Sequence, residues 1–129
     1  MNRANMTGLV HYAMYQNIKS KGYAAPVDVL MVVGVLSKED YEKWRNGKVD
    51  YLERICKVNL KMLSAVMREM RTYARKNNLK PSWTFYHGWA KAKDIKLRFS
   101  KSGNPEIEKS YATHFVDLQR VGELRDKTK

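Results

Sequence analysis

The spacing of apolar positions divides the chain into short elements. Val10, Ala13, Met14 and Ile18 recur at helical intervals, which predicts a helix capped by Thr7, running to Lys21 and closed by Gly22. Residues 1–6 then form a disordered lead, and Tyr23 to Pro26 a linker. Val27 to Leu36 is an apolar run. Its valines favour a strand, whereas Pro26 at a first helical position and the lack of alternation favour a buried helix, the preferred reading. Ser37-Lys-Glu-Asp resembles a capping box and opens a helix carrying Tyr41, Trp44 and Arg45, which stops at Asn46-Gly47. Asp50-Tyr-Leu-Glu53 has the same form. It predicts a helix running to about Asn77, roughly 27 residues and 40 Å long.

Beyond Pro81 the period changes from 3.6 to 2. Trp83, Phe85, His87 and Trp89 alternate with smaller or polar residues, as do Ile95, Leu97 and Phe99 with Lys96, Arg98 and Ser100. Two such runs joined by a short loop predict a β-hairpin at about 83–100. Asn104-Pro105 starts a short last helix ending near residues 114–116, and 117–129 reads as a charged flexible tail. The expected fold is mainly α with a C-terminal β-hairpin (α+β). It would be a single domain over 7–116, a helical bundle around one long helix.

Charge sharpens this picture. The 129 residues carry 25 Lys and Arg against 13 Asp and Glu, a net charge of +12. Between Arg54 and Lys101 there are thirteen basic residues and two acids, Glu69 and Asp94; the other 81 residues are almost balanced. A surplus confined to one stretch makes a local positive field, and its commonest partner is a polyanion. The single cysteine, Cys56, allows no intrachain disulfide and fits a reducing compartment. No signal peptide is apparent, and Val27 to Leu36 is about half the length that spans a bilayer, so the expectation is a cytoplasmic protein without a membrane partner.

On the expected long helix, Cys56, Leu60, Leu63, Met67, Met70 and Ala74 form an apolar seam. Lys57, Lys61, Ser64, Arg68, Arg71 and Arg75 repeat its spacing one residue on, as a flanking basic stripe. Lys61, Arg68, Arg71 and Arg75 have no acid three or four residues away. A face selected for helix stability alone would carry one, because like charges at those offsets repel. The seam suits either a core or a short coiled-coil dimer, leaving monomer and dimer open. Lys91, Lys93, Lys96, Arg98 and Lys101 make a second basic cluster on the hairpin. Trp83, Tyr86 and Trp89 interleave with it as candidates for base stacking. The lysine-rich loop beside a basic strand resembles the wing of winged-helix proteins over roughly residues 26–101. That resemblance implies contact with a nucleic-acid backbone.

Chemistry is sparse. His11, His87 and His114 stand in no metal-ligand spacing, Cys56 lies on the apolar seam, and no phosphate loop is present, so no cofactor, metal or catalytic residue is assigned. The nearest catalytic set is Glu106, Glu108, Tyr111 and His114, although acids in a first helical turn are favoured by the helix dipole alone. The expected function is nucleic-acid binding, DNA or RNA, through the basic helix face and the lysine-rich hairpin. The alternatives are an inhibitor or adaptor whose basic face docks on an acidic protein, and a small nuclease.

Overall fold

The structure, a computed structural model, describes residues 2–127. Six α-helices account for most of it: α1 (Arg3–Lys21), α2 (Pro26–Val33), α3 (Lys38–Arg45), α4 (Leu60–Lys76), α5 (Pro105–Ala112) and α6 (Leu118–Lys127). Three short strands, β1 (Tyr23–Ala24), β2 (Lys80–Trp83) and β3 (Thr113–Val116), form an antiparallel sheet in the order β1-β3-β2. The fold is therefore mainly α with a small sheet.

The first helix begins before Thr7. The Asn2 side chain accepts the Asn5 N–H at 2.9 Å and caps it, and Met6, expected in a disordered lead, is buried. Val27 and its neighbours are helical. Pro26 opens α2 and Gly34 closes it in the left-handed region at φ 89°. The Ser37 side chain caps α3 by accepting the Asp40 N–H at 3.1 Å. Around these starts grows one core. The helix α1 packs on α2 and α4, and Val10, Met14, Leu30, Leu63 and Met70 meet inside it. Trp44 is fully buried, and its indole N–H donates to the Arg98 carbonyl at 2.9 Å.

The long helix and the hairpin also depart from expectation. The long helix does not start at Asp50. Residues 52–55 make one 3-10 turn, Lys57 lies in the connector after it, and α4 starts at Leu60 under the cap of Asn59, whose side chain accepts the Met62 N–H at 2.9 Å. Tertiary pairing overrides the local cap signal. The Leu52 and Glu53 N–H groups, which an Asp50 cap would have needed, donate instead to the carbonyls of Arg98 and Phe99, and that of Lys57 donates to Val35, so the helix stops after one 3-10 turn. The seam loses Cys56 to this connector, and Leu63, Met67, Met70 and Ala74 are buried within the protein's own core rather than offered to a coiled coil.

Nor do residues 83–100 form a two-stranded hairpin. One bridge pairs His87 with Lys96, flanked by the Gly88 N–H to Ile95 O and Leu97 N–H to Tyr86 O hydrogen bonds, with a 3-10 turn at Ala90–Ala92 between them. Residues 98 and 99 spend their carbonyls on 52 and 53, while β2 pairs with β3, Trp83 opposite Thr113. The winged-helix comparison is not confirmed. Gly88 explains the tight return: a Cβ there would run into the backbone of Ala92.

Of the segment 117–129, expected as a flexible tail, residues 118–127 form α6, and 128 and 129 lie outside the described residues. Asp117 caps α6 by accepting the Arg120 N–H at 2.9 Å, and its own N–H donates to Gly22 O at 2.8 Å. The Arg120 guanidinium donates to Lys19 O at 2.9 and 2.7 Å, satisfying a carbonyl at the end of α1. Among the described residues no helix is long and apolar enough to cross a membrane.

Candidate nucleic-acid interface

The basic stripe survives on α4 in shortened form. Lys61, Arg68, Arg71 and Arg75 lie on the helix and are exposed, and Lys57 is exposed just before it. Glu69, the acid nearest to them in sequence, turns to the other side and meets His11 of α1 at 2.9 Å. Among the described residues none of the ten candidate cations forms an ion pair with a carboxylate. Arg71 reaches across to α5, where its guanidinium donates to Ser110 Oγ at 3.5 Å.

A groove runs between α4 and α5. Its walls include Leu60, Arg68 and Arg71 on one side and Glu106, Ile107, Ser110 and Lys101 on the other. It continues into a second depression bounded by Arg71, Arg75 and Lys109, because Met67, Arg71, Glu106 and Ser110 line both. Lys109 then forms a wall of a third cleft of about 540 Å³, with Trp83, Phe85, Lys96 and Arg98. Three depressions thus form one path with cations along its length. Three carboxylates also line it: Glu53 and Glu106 in the first depression, Glu106 again in the second, and Glu108 in the cleft.

The far wall is fixed by two carboxylates. Glu108 accepts the Phe99 N–H at 2.9 Å, the Ser100 N–H at 2.7 Å and the Ser100 hydroxyl at 2.6 Å. Glu53 accepts the Lys101 N–H at 2.9 Å and the Tyr111 hydroxyl at 2.8 Å. Arg98 braces the same turn, donating to the carbonyls of Ser100 and Lys101. Charge-assisted bonds of this kind are the strong ones, so Lys101 is carried on a rigid loop facing Arg68 and Arg71. This engagement turns Arg98 from a candidate phosphate contact into a positioning residue.

The second cluster divides. Lys96 sits at the third cleft, its ammonium 3.6 Å from the centre of the Phe85 ring. Lys91 and Lys93 stand exposed on the 3-10 turn and its end, and line none of the three depressions. The expected stackers separate as well. Trp83 is 45% exposed at the cleft. Tyr86 is buried against Trp44 and Phe99, and its hydroxyl shares a 2.7 Å hydrogen bond with His114 Nε2, so it cannot receive a base. Trp89 packs edge-on against Tyr41, with the Arg45 guanidinium 4.9 Å from its ring centre. Phe85, absent from the expected set, is 51% exposed and meets Trp83 edge to face at 5.3 Å. Its place in the first alternating run was the available signal.

The nearest catalytic set is engaged elsewhere. Glu108 holds backbone, and Tyr111 stacks on Phe99 while donating to Glu53; burial, helped by that hydrogen bond, pushes its phenol up. His114 stacks on Tyr23, and burial holds its pKa below the ordinary 6.5. Cys56 is a poor nucleophile, since burial, with Glu53 and Asp40 adding to it, pushes its thiol up to about 12. Among the described residues no group of three or more His, Cys, Asp or Glu converges to hold a metal. Comparison with protein families, with curated proteins and with solved structures finds no match to this chain.

Proposed function

We propose that this protein binds nucleic acid through the groove between α4 and α5. The observation carrying this reading is the run of Arg68, Arg71 and Arg75, exposed along one helix face, without an acidic ion-pair partner among the described residues, and opposed by Lys101 and Lys109. Three guanidiniums at mutual helical neighbour spacing repel one another, and an external polyanion removes that repulsion. Arginine suits phosphate, because its planar fork can donate two hydrogen bonds to one phosphate group. Such contacts supply affinity and orientation rather than sequence choice.

A second reading rests on a separate observation. Leu60 and Ile107 are 57% and 42% exposed in the same groove, so an acidic protein segment with apolar side chains also suits it. The two are separated by changing Arg68, Arg71 and Arg75 together to Glu. Nucleic-acid binding by the wild type that disappears in the triple variant, with an unchanged unfolding transition, supports the first reading. A wild type that ignores nucleic acid at low salt rejects it.

A further inference from the structure

Resting on the nucleic-acid reading, we infer that the cleft lined by Trp83, Phe85, Lys96 and Lys109 is a seat for an unpaired nucleobase, and that the preferred ligand is single-stranded. Two large aromatic rings stand about half exposed at the end of the basic path, where side chains of this size are ordinarily buried. They meet at an interplanar angle of 80°, so their faces point in different directions into and around the cleft. Each has its own ammonium: Lys96 lies 3.6 Å from the Phe85 ring centre and Lys109 5.3 Å from that of Trp83. The ammoniums lie over the rings, so a base that stacks takes their place on the face and leaves the displaced lysine to meet the phosphate, the two contacts that one nucleotide unit requires.

The cleft's size, about 540 Å³, falls in the range of small-molecule sites. Its acid, Glu108, accepts from Phe99 and Ser100 and forms no ion pair with Lys96 or Lys109 among the described residues. A duplex keeps its bases stacked inside the helix and can use only the phosphate path. A single strand can use the path and the cleft together. The position of Lys109, shared by the cleft and the adjoining depression, places the phosphate next to the seated base on the line toward Arg75 and Arg71.

The test compares a 12-nucleotide single strand, the same strand with abasic sites, and the corresponding duplex, each titrated against wild type, Trp83→Ala/Phe85→Ala and Trp83→Phe. Both rings are about half buried, so the double variant is expected to unfold at a somewhat lower temperature than wild type, and every titration is run below its transition. The expected results are a preference of wild type for the intact single strand and a loss of about 10-fold or more in the double variant. Duplex binding and the salt slope should stay unchanged, and Trp83→Phe should retain most of the affinity. Equal binding of the intact and abasic strands, or a double variant that binds the single strand as wild type does, would overturn the base seat while leaving the phosphate path standing. Failure of wild type to bind any of the three ligands would overturn both.

Discussion

Single side chains decide how the far wall of the groove is held. Glu108 and Glu106 look alike in the sequence, two acids in a first helical turn, but only Glu108 reaches back to residues 99 and 100. That distinction depends on how the turn at Ser102 and Gly103 brings the chain round, which local pattern does not encode. Glu108→Ala strands two backbone N–H groups and a hydroxyl, and is expected to cost about 2–4 kcal/mol in urea unfolding. A change within about 0.5 kcal/mol, typical of surface substitutions, would contradict the clamp.

His114 gives a pH dependence of fixed sign. Burial lowers its folded pKa below 6.5, opposed by Asp28 and assisted by Lys21. The unfolded chain therefore takes up the proton first. The stabilisation from keeping this imidazole neutral is fully present above about pH 6.5 and is lost as the pH falls through the folded value. The difference in stability between wild type and His114→Gln should be constant above pH 7 and shrink below 6.5. A difference that grows on acidification would contradict the assignment.

At the scale of elements, starts and stops were the most legible features. Gly22 and Pro26, Ser37, and Asn104-Pro105 each end or open a helix where the pattern places them. What escaped was pairing between distant segments. The Asp50–Glu53 box is well formed locally, yet the 52–53 amides go to residues 98 and 99, and the start moves to Asn59. The alternation from Trp83 to Phe99 holds in part, but its sense reverses: in the first run Tyr86 and Gly88 are buried while Trp83, Phe85, His87 and Trp89 are exposed, and in the second Leu97 and Phe99 point inward while Ile95 stays exposed. The two candidate caps are separable. Asn59→Ala is expected to lower stability by about 1 kcal/mol. Asp50→Ala, which removes only an exposed ion pair with Arg54, should change it by less than about 0.5 kcal/mol. The reverse order would place the helix start at Asp50.

Across the whole molecule the charge asymmetry of the sequence becomes a surface feature. The segment from Arg54 to Lys101 is not one contiguous structure, since it spans a connector, α4, β2 and the bridged loop. Folding nonetheless brings its Arg68, Arg71, Arg75, Lys96 and Lys101 onto one path, with Lys109 of α5 added. The stripe was visible as periodicity. The path was not, because it depends on α5 crossing beside α4 and on Glu53 fixing Lys101 from the opposite side. Residues such as Lys91 and Lys93, which the sequence grouped by proximity, fall outside it.

The most direct test of the phosphate path is fluorescence anisotropy of labelled single- and double-stranded DNA and RNA across a salt series, with wild type and the Arg68→Glu/Arg71→Glu/Arg75→Glu variant side by side. The expected result is micromolar or tighter binding near physiological salt, with log K against log salt falling at about −4 or steeper, and loss of that binding in a variant that unfolds at the wild-type temperature. Absence of binding at low salt, or a charge-reversed protein that binds as well as the wild type, would contradict it.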